Sequence, residues 1–372
     1  MQAYLDNAAT TPLRPEALAA MLPAMSDRFG NPSGVHSVSR DARRLLEDSR
    51  ETVAQLIGAA PSEVIFTSGG TESDNLAVRG VASLRAGTIV TTALEHAGVR
   101  EPCRSLGASV VPVRSDGMVD LDALWDALGP DVSLVSVMLV NNEVGTVQPL
   151  AEVAEMVRSK APAALLHTDA VQAFAWLDVA ELAQVADLVS VSAHKFGGPK
   201  GTGALVVREP VEIGPLLLGG GHERGRRPGT QNVAGAAGMA AAMAATAATR
   251  LETVERVAAL RDRLADGLLE IVPGTLETGD RSCKIAGNCH LRFEDVESEA
   301  LLVLLDEMGV CASAGSACSS GATEPSHVLI AMGLTAEEAS SSIRFSLGYS
   351  TSAAEVEHCL DAVPKAVAQL RR

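Results

Sequence analysis

The sequence has little basic charge. Its 30 lysines and arginines face 46 aspartates and glutamates, so the formal net charge is −16. Nucleic acids and anionic membranes both attract basic surfaces. We therefore expect no direct binding to nucleic acid or to a membrane, and any link to a nucleic acid should run through another protein.

Signals for export and for metal binding are also lacking. The start MQAYLDNAATTP has no basic region followed by an apolar run, so we expect no secretory signal and a cytoplasmic protein. The six cysteines should then be reduced thiols. Cys283, Cys289 and His290 have no second ligand pair at zinc spacing. Arg226 stands where a zinc-protease motif starting at His222 needs a second histidine, so we predict no metal site.

No run is apolar enough to be a convincing membrane span. The nearest candidate, 233–249, is mostly alanine and is shorter than the ~20 residues that a span needs. We predict a tightly packed interior helix there, whose small residues let another helix approach closely.

Short apolar runs alternate with helical patterns along most of the chain. With 372 residues, 47% of them hydrophobic, the chain can bury a large core and form two domains. The apolar runs lie at 64–66, 89–91, 110–113, 134–140, 165–168, 188–191 and 204–207. Helices are predicted at 15–25, 38–57, 121–128 and 150–159, and a long connector at 232–271. This alternation predicts an α/β fold around a mostly parallel sheet, and the changed pattern after Pro273 predicts a smaller α+β domain.

One of only five lysines lies at the end of a predicted strand. The segment 188–203, LVSVSAHKFGGPKGTG, has the pattern of a buried strand, a polar rim and a glycine-rich turn. In α/β enzymes this is where ligands bind. Lys195 is therefore a candidate for forming a Schiff base, the alternative being a surface lysine after a core strand.

Further polar residues follow other predicted strands. The glycine turn at 69–70 opens a helix whose free N–H groups suit a phosphate, although an ordinary capped helix has the same pattern. His96, Asn142, Asp169 and Gln172 follow three more strands. Each would need a partner if it were buried. A shared polar ligand would satisfy all four together, and a turn or cap role for each of them is the alternative.

Nine motifs stand in the order typical of one enzyme family. They are YLDNAATTP at 4–12, FGNPS at 29–33, TESDN at 71–75, EH at 95–96, NNEVG at 141–145, SxHK at 192–195, GGGHERGRRPGT at 219–230, GSAC at 315–318 and IRFSLG at 343–348. Together they resemble the cysteine desulfurases of the NifS/IscS-like group. The resemblance implies an aspartate-aminotransferase-like fold (fold type I) with a seven-stranded sheet, a homodimer and the cofactor pyridoxal 5'-phosphate. It also implies a large domain over 13–250 and a small domain formed by 1–12 and 251–372.

The resemblance assigns cofactor roles to matching positions. Lys195 would bind the cofactor as a Schiff base and move the substrate Cα proton. Asp169 would face the pyridine nitrogen, and His96 would stack on the ring and act in catalysis. The other contacts would be Asn142 and Gln172 around the phenolic oxygen, and Gly70, Thr71, Ser192, His194 and the partner subunit's Thr230 at the phosphate.

The substrate and sulfur roles follow from the same resemblance. Arg344, with Asn142, would bind the carboxylate of L-cysteine, while a structural salt bridge is the alternative for the arginine. Cys318, in a loop rich in glycine and serine, would attack the substrate sulfur, leaving a persulfide and L-alanine. His96 or the substrate would activate the thiol.

A sulfur-acceptor protein would then receive the sulfur for iron-sulfur cluster assembly or for thiolation of tRNA, DNA or metabolites. The alternatives are a selenocysteine lyase or other pyridoxal-phosphate enzyme and, outside the enzymes, a sulfur-relay scaffold.

Overall fold

The computed structural model describes residues 2–314 and 325–372. Within these ranges the strands are β1 Ala3–Tyr4, β2 Val64–Thr67, β3 Thr88–Thr92, β4 Ser109–Val111, β5 Val132–Ser136, β6 Leu165–Asp169, β7 Leu188–Ser192, β8 Gly203–Val207, β9 Thr275–Glu277, β10 Asn288–Phe293, β11 Val310–Cys311 and β12 Ser342–Ser346. The α-helices are α1 Pro15–Met25, α2 Ser37–Ile57, α3 Gly70–Ala82, α4 Ala97–Ser105, α5 Leu121–Ala127, α6 Leu150–Lys160, α7 Val179–Leu182, α8 Val233–Ile271, α9 Ser298–Glu307, α10 His327–Ala331, α11 Ala336–Ser340 and α12 Ala353–Leu370.

A seven-stranded sheet forms the centre of the larger part of the chain. Its strand order is β2-β8-β7-β6-β5-β3-β4. β8 is antiparallel to both of its neighbours, and the other pairs are parallel. The predicted α/β fold with a mostly parallel sheet is confirmed.

The interior strand β7 shows how the sequence specifies this arrangement. Every residue of LVSVS is buried, as expected for a strand covered by helices on both faces. Val189 and Val191 face one hydrophobic core and Leu188 faces the other. Ser190 and Ser192 share the face of Leu188, which is the face that α3 covers.

The apolar run at 134–140 differs from its prediction as a single strand. Regular pairing ends at Ser136, although Val137 to Val140 stay buried. Val140 instead bridges Val147 in a chain reversal. An apolar run indicates burial, and here burial continues after the strand has ended.

The predicted long connector is one continuous helix, α8, of 39 residues. Its alanine-rich first half packs against α1 and α2, and a Cβ on Gly238 would come within 2.8 Å of the Met21 sulfur. Its second half contributes Val257, Leu264 and Leu268 to a separate core. The helix therefore joins two hydrophobic cores. Of the helices in the described ranges, none is both long and apolar enough to cross a membrane.

The second core lies behind a three-stranded sheet of order β12-β10-β9. Leu291 and Ile343 face this core, while His290 and Arg344 pair across the opposite face. The N-terminal strand β1 pairs in parallel with β11. The first residues of the chain thus pack with its last third.

Candidate active site

A cavity of about 350 Å³ lies at the carboxyl ends of the parallel strands. β6 ends at Asp169, β7 ends at Ser192, and His96 follows shortly after β3. Because parallel strands end at one edge of the sheet, their following side chains converge there. Ten of the predicted site residues line this cavity, namely Gly70, Thr71, His96, Asn142, Asp169, Gln172, Ser192, His194, Lys195 and Arg344.

Lys195 lies in a tight turn directly after β7. Its Nζ donates hydrogen bonds to the carbonyl oxygens of Ala8, at 2.6 Å, and Ala9, at 2.9 Å. Gln172 also donates to the Ala8 carbonyl, at 2.7 Å. The N-terminal segment is itself tied down, because the Thr11 amide donates to the His194 carbonyl at 3.0 Å. The lysine amine is thereby fixed at the cavity wall.

Asp169 and His96 both line the cavity, and a carboxyl oxygen of Asp169 lies within 4.8 Å of a ring nitrogen of His96. Asp169 is 4% exposed, and the Val171 amide donates to its Oδ1 at 2.9 Å. Burial raises the pKa of Asp169, whereas His96, this amide and Lys195 act to lower it. His96 caps α4, since its Nδ1 accepts a hydrogen bond from the Gly98 amide at 3.0 Å. In the neutral ring this places the proton on Nε2.

An adjoining cavity of about 430 Å³ surrounds the start of α3. Gly69, just before the helix, has a φ of 151°, which side-chain-bearing residues rarely adopt. A Cβ on Gly70 would come within 2.7 Å of Val171 Cγ2. Glycines therefore let the chain turn closely here and present the first N–H groups of a 13-residue helix, which suit an anion.

His194 lines both cavities and is neutral at pH 7. Burial, with the charges of Lys195 and Lys200, lowers its pKa to about 4. Its Nδ1 lies 3.2 Å from the Thr10 hydroxyl. A neutral imidazole at this place can offer a hydrogen bond to a phosphate oxygen.

Arg344 reaches the cavity from β12. It is 2% exposed and donates to Asp6 Oδ1 at 2.8 Å and to the Asn142 carbonyl at 3.0 Å. The salt bridge that the sequence left as an alternative is therefore present. It also aims a planar cation at the cavity that holds Lys195.

These groups fit pyridoxal 5'-phosphate. A primary amine suits its aldehyde, the start of α3 suits its phosphate, and the buried carboxyl of Asp169 suits its pyridine nitrogen. The two adjoining cavities share Gly70, Thr71 and Ser192 in their linings, so one ligand can reach all three groups.

Comparisons with known proteins agree with this chemistry. The family model for class-V aminotransferases matches residues 3–359. A curated relative, the IscS-like cysteine desulfurase of Mycobacterium tuberculosis, is 46% identical over 100% of this chain and 97% of its own length. This chain belongs to the class-V aminotransferase family. Within the family it is a pyridoxal-phosphate-dependent cysteine desulfurase.

Solved structures support the same placement. A NifS-like protein aligns with this desulfurase at a TM-score of 0.93 with 36% identity, covering 99% of this chain and 100% of that one. The structure of SspA in complex with cysteine aligns at 0.79 with 32% identity, covering 94% of this chain and 100% of that one. Similarity therefore extends over nearly the whole desulfurase.

Two site residues predicted for this desulfurase are not among the described residues that line the cavity. Thr230 is exposed, in the segment that precedes α8, and does not line either cavity of its own chain. Cys318 lies outside the described residues. The roles predicted for both stay predictions.

Sequence reasoning missed the roles of two buried carboxyls beside the cavity. Asp74 lines it from α3, one turn after Thr71, and the three-residue spacing in TESDN is the signal that places both on one helix face. Glu95 is fully buried and accepts hydrogen bonds from the Thr92 hydroxyl at 2.8 Å and the Met138 amide at 2.9 Å. Burial raises its pKa to about 8, so Glu95 is mainly protonated at pH 7.

Proposed function

We propose that this desulfurase converts L-cysteine to L-alanine and keeps the sulfur as a persulfide on Cys318. The observation that supports this most is that Lys195, Asp169 and Arg344 line one cavity. In the overall reaction the carbon–sulfur bond of the substrate breaks and a sulfur–sulfur bond to Cys318 forms. The hydrogen atoms of the substrate and enzyme thiols are then found in alanine and in the persulfide.

Lys195 holds the cofactor aldehyde and moves the Cα proton of the substrate. Bound pyridoxal phosphate supplies an electron-accepting ring for this chemistry. Asp169 holds the proton on the pyridine nitrogen, which needs a buried negative charge nearby. His96 would stack on the ring and donate or relay a proton. Gly70, Thr71, Ser192 and His194 hold the phosphate, and Asn142 and Gln172 bind the phenolic side of the ring.

Arg344 binds the substrate carboxylate. Its guanidinium is almost fully buried and already oriented by Asp6. A planar guanidinium in a desolvated place is suited to bidentate capture of a carboxylate. Asp6 therefore fixes the direction from which the substrate binds.

The enzyme acts as a cytoplasmic homodimer and passes its sulfur to an acceptor protein. The exposed position of Thr230 supports a role in the partner subunit's phosphate site. The net charge of −16 supports transfer to a protein over direct contact with a nucleic acid. Iron-sulfur cluster assembly or thiolation is the destination.

Replacing the nucleophile tests this function. We expect Cys318→Ala to fold and to bind pyridoxal phosphate and cysteine, yet to release no alanine and carry no persulfide, because no thiol accepts the sulfur. The measurement is alanine yield together with peptide mapping of sulfane sulfur after cysteine treatment. The matched control is Cys311→Ala, a half-buried free cysteine on β11, which should keep its alanine yield. Sulfane sulfur on another cysteine, or alanine formation by Cys318→Ala, would refute the assignment.

A further inference from the structure

We propose that Asp74 is held as a neutral carboxylic acid beside Asp169. The pyridine nitrogen of the cofactor then meets a single negative charge, that of Asp169. Asp74 is 1% exposed and lines the cavity. One carboxyl oxygen of Asp74, one of Asp169 and a ring nitrogen of His96 all lie within 4.8 Å of one another. Asp74 is thus a positioning residue, and the proposal rests on the cofactor contact proposed for Asp169.

Two ionised carboxylates would be strongly unfavourable at this distance and depth. Asp74 and Asp169 are both buried, so water screens their repulsion poorly. In such a pair one proton is shared and the two groups titrate together. Burial and the facing Asp169 carboxylate raise the pKa of Asp74 well above its usual value. Near pH 7 the pair therefore carries one proton and one negative charge.

The groups facing Asp169 favour the negative charge on that member of the pair. The charges of His96 and Lys195 act to lower the pKa of Asp169, and the Val171 amide donates to its Oδ1 at 2.9 Å. Cations and N–H donors stabilise a carboxylate. Asp169 is therefore the anion.

Apart from His96, which lies within 4.8 Å of both carboxyls, the groups facing Asp74 carry no compensating positive charge. His167 Nε2 is 3.8 Å from Asp74 Oδ1, but burial lowers the pKa of His167 to about 3, so its ring is neutral. Glu95 is mainly protonated, and burial raises the pKa of the Cys103 thiol to about 12. The Ser190 hydroxyl hydrogen-bonds Asp74 and acts to lower its pKa, but burial and Asp169 raise that pKa more; the same hydroxyl lies 3.0 Å from His167 Nε2. Asp74 is therefore the member that keeps the proton.

This arrangement gives the ring nitrogen one counter-charge. A protonated ring nitrogen and a singly charged pair cancel, whereas a doubly charged pair would leave one buried negative charge uncompensated. Asparagine has the shape of a neutral aspartic acid, so Asp74→Asn should leave the charge of the site unchanged.

Infrared spectroscopy of the apoprotein tests the charge directly. We expect Asp74→Asn to lower the carboxylic-acid carbonyl band at pH 7 by the intensity of one group, because an ionised carboxylate does not contribute to that band. Glu95→Gln calibrates the intensity of one buried acid. If Asp74→Asn does not fold, Asp74→Ser gives the same comparison. An unchanged band in the folded variant would overturn the proposal.

Binding of pyridoxine 5'-phosphate, which has no aldehyde, gives a second readout. Asp74→Asn should bind it within about threefold of wild type, since the charge of the site is unchanged. A loss of more than about tenfold in a folded Asp74→Asn would mean that Asp74 acts as an anion. The proposal would also be overturned if the wild-type apoprotein bound Zn²⁺ and Asp74→Asn abolished this binding. Asp169→Asn should weaken the ligand strongly, and if it does not, the cofactor placement fails independently of the infrared result.

Discussion

Burial controls the ionisation of single residues around the cavity. Glu95 has its pKa raised to about 8, while His167 and His194 have theirs lowered to about 3 and about 4. In each case loss of water disfavours the charged form. In the site proposed above, the charges that act on the cofactor and the substrate are those of Lys195, Asp169 and Arg344.

The raised pKa of Glu95 predicts a pH-dependent stability. Between about pH 5 and pH 8 the native state holds a proton on Glu95 that the unfolded state has lost, so stability falls as pH rises. Glu95→Gln should remove this contribution, which is about 1.4 kcal/mol per pH unit for one proton. Urea unfolding of both proteins across this range measures it. Glu155→Gln, on the exposed face of α6, is the control, and equal slopes for wild type and Glu95→Gln would contradict the prediction.

Arg344 should contribute mainly to substrate binding. We expect Arg344→Ala to weaken cysteine binding by ~2–5 kcal/mol, because a desolvated charge pair with the carboxylate is lost. The measurement is the KM for cysteine alongside the free energy of unfolding. Asp6→Asn removes the structural partner of Arg344 and keeps the arginine. If Asp6→Asn reproduces the whole effect, the salt bridge alone explains it and Arg344 is structural.

Among the elements, the segment before α8 depends on one buried ion pair. Glu223 has a φ of 46° and accepts hydrogen bonds from Arg50 of α2 at 2.7 and 2.9 Å, and from the Phe66 amide at 3.1 Å. Gln231 also donates to Glu223, at 3.3 Å. The unusual backbone is thus held by side-chain contacts, and the anchored segment includes Thr230.

Replacing Glu223 should destabilise the protein strongly. Glu223→Gln leaves the buried Arg50 without its main counter-charge, which costs about 3–5 kcal/mol. Glu47 pairs with the same arginine from an exposed position, so Glu47→Gln should cost only about 0–1 kcal/mol. Urea unfolding compares the two variants. Equal losses would show that the buried pair does not anchor the segment.

For the whole molecule, the position of Thr230 predicts an active site shared between subunits. Lys195→Ala and Thr230→Ala should each be inactive or weakly active as pure dimers. In a mixed dimer one site has both defects and the other has neither. Random mixing should therefore restore about a quarter of wild-type activity, because half of the dimers are mixed and each has one intact site.

Mixing is done by unfolding and refolding the two variants together. Mixing each variant with itself is the control, and alanine formation is the readout. If the mixture is no more active than the two variants refolded separately, Thr230 lies outside the partner's site.

The sequence by itself determined which strands are followed by polar groups and which residues line most of the cavity. Apolar runs predict β3, β6 and β7 because buried strands exclude water, and the residues after them reach one sheet edge for geometric reasons. The motifs around Lys195, Asp169 and Arg344 were sufficient to predict a pyridoxal-phosphate desulfurase.

Only the tertiary structure decided which distant side chains share a proton and which form a buried ion pair. Asp74 and Asp169 are 95 residues apart in the chain, and their proximity depends on how α3 packs over β6. Glu223 meets Arg50 because the segment before α8 packs against α2. The helix predicted at 233–249 continues to Ile271, where its second half packs into the other core. Such contacts arise from packing between distant segments, which local sequence patterns do not encode.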